Sequence, residues 1–391
     1  VIQGRLDAST PGRRAALILA AVLLCVGFVA PAHAQGVETK RVWPGQWLTS
    51  YIPFVAALPN DGPTIEWRMR RWQMANYDDR VTHNVAFNFR GAYSPWAGSW
   101  LASVGLSAPR LGKDWRLAGE LQAGRAARFG YYGLGNVTDR SGADGNRVSR
   151  NLYALTADLT GNIAGPLGVS VQVQGARAEF RARDSTSAFE DDFGESLGQW
   201  ETSVRLALVL DLRDKEYDTR SGFAAEFGVQ QGYGAGDDWQ RWHGVARGWL
   251  PVTKSTVVAA RVFGADISGV PTLYARQVMP AWEQPFSVLG GEDSHRAVAF
   301  GRFTGTGVLG TNLEVRQMLF GRKDLGGVGI VAYADAGRVF EGEALRFTTD
   351  DWTLGGGGGI VLKALRGNVF LFTVGFTEAE SHVGFRTGWM F

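Results

Sequence analysis

The 391-residue chain has one cysteine, Cys25, no apolar run beyond residue 34 long enough for a membrane helix, and almost no net charge. Each shortage excludes something. One thiol cannot close an intramolecular disulfide or build a thiolate metal centre. The five histidines include His83, His243, His295 and His382, and none pairs at the i, i+4 spacing of a metalloprotease helix. No metal and no cofactor is therefore expected. Forty Lys and Arg against 38 Asp and Glu leave no basic footprint for nucleic acid.

The N-terminus reads as a secretory signal peptide over residues 1–34. Arg5, Arg13 and Arg14 precede the apolar run Ala15 to Val29, and Ala32-His33-Ala34 places small residues before Gln35. Cleavage is expected near Ala34/Gln35. A membrane anchor needs about 20 apolar residues, and this run stops at Pro31. Leu24 stands where lipoprotein processing at Cys25 would need Gly, Ala or Ser. The exported chain then has no thiol, so a cysteine nucleophile is excluded, and such a chain suits a compartment that oxidises unpaired thiols. Removing the leader takes three basic residues and one acidic residue, leaving no formal net charge. Residues 35–45 form a lead-in too short for a folded periplasmic domain, which needs about 50 residues.

What the chain does hold is 53 Gly, 14 Trp and 22 Phe, a mixture that suits aromatic girdles and lipid-facing side chains alternating with a polar lumen. Its periodicity is two. In 368–376, Phe370, Phe372, Val374 and Phe376 share one side, with Val369, Leu371, Thr373 and Gly375 on the other. In 383–391, Val383, Phe385, Thr387, Trp389 and Phe391 oppose Gly384, Arg386, Gly388 and Met390. A soluble sandwich would not expose its aromatic side.

Similar segments recur about every twenty residues between turn-forming clusters. They lie near 46–57, 62–75, 83–91, 95–106, 114–126, 148–161, 167–180, 198–212, 222–233, 238–250, 255–266, 306–318, 326–338, 352–363, 367–377 and 381–391. The reading is an all-β fold, a transmembrane antiparallel β-barrel of about 16 strands over residues 46–391. In hydrocarbon every backbone N–H and C=O needs a partner, so the wall is expected to close. The structureless gap at 267–305 follows eleven strands and should emerge outside the cell as a functional loop.

That gap and the strands after it carry motifs. Leu289-Gly290-Gly291-Glu292-Asp293 precedes His295-Arg296-Ala297-Val298 and Phe300-Gly301-Arg302-Phe303; the next strand reads Asn312-Leu313-Glu314-Val315-Arg316, and the one after it Tyr333-Ala334-Asp335-Ala336-Gly337. This resembles the bacterial surface antigen superfamily, which groups outer-membrane assembly factors with two-partner secretion transporters. Its members have a Leu-Gly-Gly segment, an Arg-Gly-aromatic loop tip, an Asn-x-Glu-x-Arg strand and an aromatic-x-Asp-x-Gly strand. Ala297 stands here where the family has Gly, and Val298 where it has an aromatic residue. Gly at that place would permit positive φ or close backbone approach. The resemblance implies that the extracellular loop folds into the lumen and that Arg296 pairs with Asp335; two solvated charges facing different ways are the alternative.

Tyr132-Gly133-Leu134-Gly135-Asn136 resembles a loop element of short, barrel-only members. Asp211-Leu212-Arg213-Asp214 with Thr219-Arg220-Ser221-Gly222 resembles their Asp-x-Arg-Asp strand end and following turn. Phe385, Trp389 and the terminal Phe391 resemble the signal by which the barrel assembly machinery recognises its substrates during biogenesis.

Enzyme motifs lack context. Gly194-Glu195-Ser196-Leu197-Gly198 fits G-x-S-x-G, but nothing predicts the strand, turn and helix that expose a nucleophile. Gly305-Thr306-Gly307-Val308-Leu309-Gly310 fits the dinucleotide fingerprint without a βαβ unit. No catalytic residue is expected, and a phospholipase built from Ser and His on distant strands has no positive support. The resemblance implies insertion or translocation of protein or lipid, through a weak seam between first and last strands and through the loop-plugged lumen. The partners are outer-membrane lipid and a protein client or periplasmic partner. A passive pore, or a barrel acting only as anchor or surface antigen, is the alternative.

Overall fold

The computed structural model describes residues 44–391 apart from 58–60, 62, 137–145, 184–186, 235–236, 323–325 and 365–367. The expected signal peptide, its cleavage site and nearly all of the lead-in lie outside the described residues. Sixteen wall strands follow in chain order: β1 (Trp47–Ala57), β2 (Pro63–Met74), β3 (His83–Ser94), β4 (Ser99–Leu111), β5 (Trp115–Gly130), β6 (Arg147–Ala164), β7 (Leu167–Ala182) and β8 (Ser196–Asp211). Then come β9 (Gly222–Gly234), β10 (Asp237–Pro251), β11 (Thr256–Gly269), β12 (Gly307–Arg322), β13 (Gly326–Phe340), β14 (Thr353–Ala364), β15 (Asn368–Thr377) and β16 (Ser381–Thr387). Each pairs with the next, and every pair is antiparallel.

Alternation builds this wall with the polarity of a soluble protein reversed. Along β8, Glu201, Ser203 and Arg205 are buried while Trp200, Val204, Leu206 and Leu208 face out. Arg205 is 1% exposed and Leu208 53%. A row of apolar side chains that contacts no protein needs lipid around it, and the polar face needs a lumen. Among the described residues no helix is long and apolar enough to cross a membrane; the strands do the crossing.

The last strand comes back beside the first ones, where Arg68 Nη1 of β2 donates to Thr387 Oγ1 of β16 at 2.9 Å. Two expectations change. The last strand is shorter than the alternation implies. Gly388 has φ 88°, so the chain leaves the pleat there and Trp389 and Phe391 do not continue the row begun by Val383 and Phe385. Lastly, the long gap is not structureless: residues 270–306 hold a helical turn, Leu273–Gln277, capped by Thr272, and a hairpin of two-residue strands, Val278–Met279 and Phe286–Ser287.

The β4–β5 and β6–β7 turns lie at one end, and the longest connections, β5–β6, β7–β8, β11–β12 and β13–β14, all lie at the other, as in barrels with periplasmic turns and extracellular loops. The β11–β12 loop enters from the long-loop end and packs on the inner wall. Its Met279, Phe286, Val288, Leu289, Val298 and Phe303 form one buried cluster with Val245, Phe263, Val308 and Val339 of the strands.

Candidate functional site

The strand spacing Asn312-x-Glu314-x-Arg316 puts three polar side chains on one face of β12, and pairing sets Asp335 of β13 opposite Asn312. That face is the lumen, and all four residues are buried. Arg296 comes down onto them from the loop. Its Nε and Nη2 donate to Asp335 at 3.0 and 2.8 Å, and its backbone N–H donates to the same carboxylate at 2.9 Å. Its Nη1 donates to Glu314 at 2.5 Å. The guanidinium also lies 3.8 Å from the centre of the Tyr333 ring. Burial alone would lower its pKa, but Asp335 and Glu314 outweigh that and hold it above its ordinary value, so it stays charged. Arg's planar fork suits two carboxylates at once.

The network continues on both sides. Asn312 Nδ2 donates to Asp335 at 2.8 Å and to Ser294 O at 2.7 Å, and Arg261 of β11 donates to Asn312 and to Asp293 O. Arg316 shares Glu314, donates to Phe391 O at 2.9 Å and sits over the Trp389 ring.

Ala297 and Val298 are fully buried. Ala297 does not have the positive φ that a family glycine would permit. The room is made by the wall: a Cβ on Gly355 would lie 2.5 Å from Ala297 Cβ, and one on Gly375 2.7 Å from Ala297 Cα. Gly290 and Gly301 do require their type. Their φ values are 123° and 73°, and a Cβ would meet the carbonyl oxygens of Ala299 and Gly130 at 2.4 Å. Gly291 (φ 83°) turns the chain beside Phe300, and Gly337 leaves room for Leu289.

The end of the loop is held by the Tyr132 to Asn136 element. Gly135 N donates to Thr304 O at 2.8 Å, and the Asn136 amide makes two bonds with the Val339 backbone. Arg302 lies over Tyr132 and Phe303 and has Glu380 at 3.4 Å. Phe303 joins the buried loop cluster.

Of the three terminal aromatics, Phe385 faces out, its ring tilted against that of Phe372 with centroids 4.8 Å apart. Trp389 and Phe391 turn in. Trp389 Nε1 donates to Asp218 at 2.9 Å, and Phe391 packs against Trp249.

Two sets of contacts were missed in the sequence. Glu292 and Asp293 bind the last strands: Thr373 donates to Glu292 at 2.8 Å, Arg386 of β16 donates to Glu292 O and to Asp293 at 2.9 Å, and Gly384 leaves the space that Glu292 fills. At the periplasmic end the loop buries Trp282 and sets the exposed Glu283 against the wall. Glu283 meets Arg116 and Arg213 at 3.0 Å each, and both guanidiniums lie over Trp282, whose indole donates to Thr160. Glu283 has φ 71° although it is not glycine. That strain, and a partner set drawn from β5 and the turn between β8 and β9, leave no local sequence signal.

Between the loop and the inner faces of β2–β10 and β16 lies a cavity of about 880 Å³, lined among others by Glu66, Arg90, Glu120, Gln122, Arg150 and Arg386. No group of three metal-ligand side chains occurs among the described residues. Ser196 opens β8 after the short helix Ala188–Phe193, the reverse of the strand-then-helix order that exposes a nucleophile. Gly305 and Gly310 pack against Phe340 O and the Phe263 ring at the start of β12.

A family model described as the Omp85 superfamily domain matches residues 84–364. No curated protein matches. Among solved structures the chain is similar to BamA from Haemophilus ducreyi lacking POTRA domains 1-3, with TM-score 0.53, 11% identity and 87% of this chain aligned to 69% of that one. It is also similar to CdiB from Escherichia coli (0.57, 14%, 88% to 62%) and CdiB from Acinetobacter baumannii (0.51, 11%, 87% to 59%). The chain thus spans less than two thirds of either CdiB, and at these identities the matches establish the fold.

Proposed function

Because the chain belongs to the Omp85 superfamily, we propose that this outer-membrane barrel inserts or translocates polypeptide, or lipid, with the loop 270–306 as its gate and no covalent chemistry. The observation that carries this is the buried Arg296 shared between Asp335 and Glu314. A loop that only decorated the surface would not bury a cation in the lumen against two carboxylates.

The wall supports the reading too. Arg68 of β2 ties the opening strands to Thr387 of β16, and the loop touches β16 through Glu292 and Asp293. Movement of the loop therefore bears directly on the strand that would part first. The client would be a protein or a lipid reached through the seam between first and last strands or through the lumen, and Phe385, Trp389 and Phe391 would serve recognition by the assembly machinery.

A passive pore is the second reading, favoured by the 880 Å³ cavity beside the loop. Planar-bilayer recordings separate the two. The gate reading expects low wild-type current that rises in Arg296→Ala; equal, steady currents would establish the pore. A photocrosslinker at Tyr51 of β1 should also capture polypeptide or lipid in living cells. No current in either form, with no capture, would leave the barrel an anchor.

A further inference from the structure

The turn between β8 and β9, residues 212–221, is the longest connection at the periplasmic end and has no part in holding Arg296. It starts and ends on neighbouring strands of one wall, and its tip reaches the opposite one. At its base Arg213 pairs with Asp211, which also meets Arg80 at 2.8 Å. Further along, Glu216 accepts two bonds from Arg116 of β5 at 2.7 Å each, and its N–H donates to Arg80 O. At its far side Asp218 accepts both oxygens' worth of contact from Lys363 Nζ of β14 at 2.8 Å, together with Trp389 Nε1 at 2.9 Å. In a wall of sixteen strands β8 and β16 stand half a circumference apart, so the turn crosses the mouth.

Two parts that the gate reading needs to move both end on this turn. Glu283 of the loop is gripped by Arg213 and by Arg116, the latter itself held by Glu216. Trp389, two residues past the last strand, is gripped by Asp218. Glu283 also sits in a left-handed backbone conformation, which a residue with a side chain keeps only while its surroundings over-determine it.

We propose that residues 212–221 form a latch across the periplasmic mouth that holds the lumen loop and the end of the seam strand in one closed state, so that releasing either loosens the other. The latch takes its purpose from the gate reading, while the coupling is a property of the fold and is tested separately.

The test is hydrogen exchange on the full chain in lipid nanodiscs, with heat-modifiable gel mobility confirming that each variant is a folded barrel. Asp218→Asn should speed exchange roughly tenfold, the scale of one lost charge-assisted hydrogen bond, in residues 278–286 as well as in 381–391. Glu283→Gln should do the same in 381–391, and the double variant should add little to either single one. If Asp218→Asn fails to fold, Lys363→Met breaks the same tie from the wall. Effects confined to each variant's own side, adding in the double variant, would overturn the latch. Coupled exchange with no change of current in Arg296→Ala would keep the latch and discard the gate.

Discussion

Replacing Arg296 with Ala removes one side chain and strands two. Asp335 keeps the Asn312 amide and the backbone N–H of residue 296, and Glu314 keeps Arg316. Each carboxylate then has less compensation in a site where both are shut off from solvent. Breaking a buried pair by deleting one partner costs about 3–5 kcal/mol. The barrel as a whole should survive, because the Glu283, Asp293 and Thr304 contacts still hold the loop. The cost should fall instead on local opening of residues 290–300. At about 1.4 kcal/mol for each factor of ten, amide exchange there should accelerate roughly a hundredfold or more. Asp335→Ala should do nearly the same, and the double variant should recover part of the loss, with a coupling of about 2–3 kcal/mol. Exchange in 290–300 within threefold of wild type, or strictly additive effects, would refute the claim that this pair fixes the loop.

Three further outcomes follow from the packing. Gly355→Ala should push on Ala297 and lower the temperature at which the folded barrel loses its gel mobility, a cost of about 1–3 kcal/mol, and Ala297→Gly should restore part of it; absence of rescue would mean that the two do not share space. Leu206→Arg on the outer face should cost about 2–4 kcal/mol in lipid, whereas Gln122→Arg on the lumen side should cost little, measured by urea titration in liposomes; equal costs would contradict the assignment of faces. Phe391→Ala should reduce the folded fraction recovered from membranes, since the ring packs on Trp249 and under Arg261 and Arg316; an unchanged fraction would remove Phe391 from the assembly signal.

Strand number and the position of the loop were legible because period-two alternation is a local property, and β15 shows it residue by residue. The meeting of Arg296 with Asp335 was legible only through resemblance, since nothing local ties a loop residue to a strand 39 positions on. Contacts across the lumen left no such trace. Glu283 finds Arg116 and Arg213 only once β5 and the turn after β8 have come together round it. The five glycines Gly355 to Gly359 were read as composition, although glycine inside a strand is a known mark of close approach. Trp389 and Phe391 continue the alternation on paper, and the single positive φ at Gly388 undoes it.

The contact of Glu292 with Gly384 and of Asp293 with Arg386 bears on how the molecule is made. The loop is translated before the five strands that enclose it on that side, and it reaches the far mouth with a tryptophan at its lowest point. A finished cylinder could not easily be threaded by such a segment. The final strands are more simply laid down against it, the loop serving as the mould and β16 as the last piece cast.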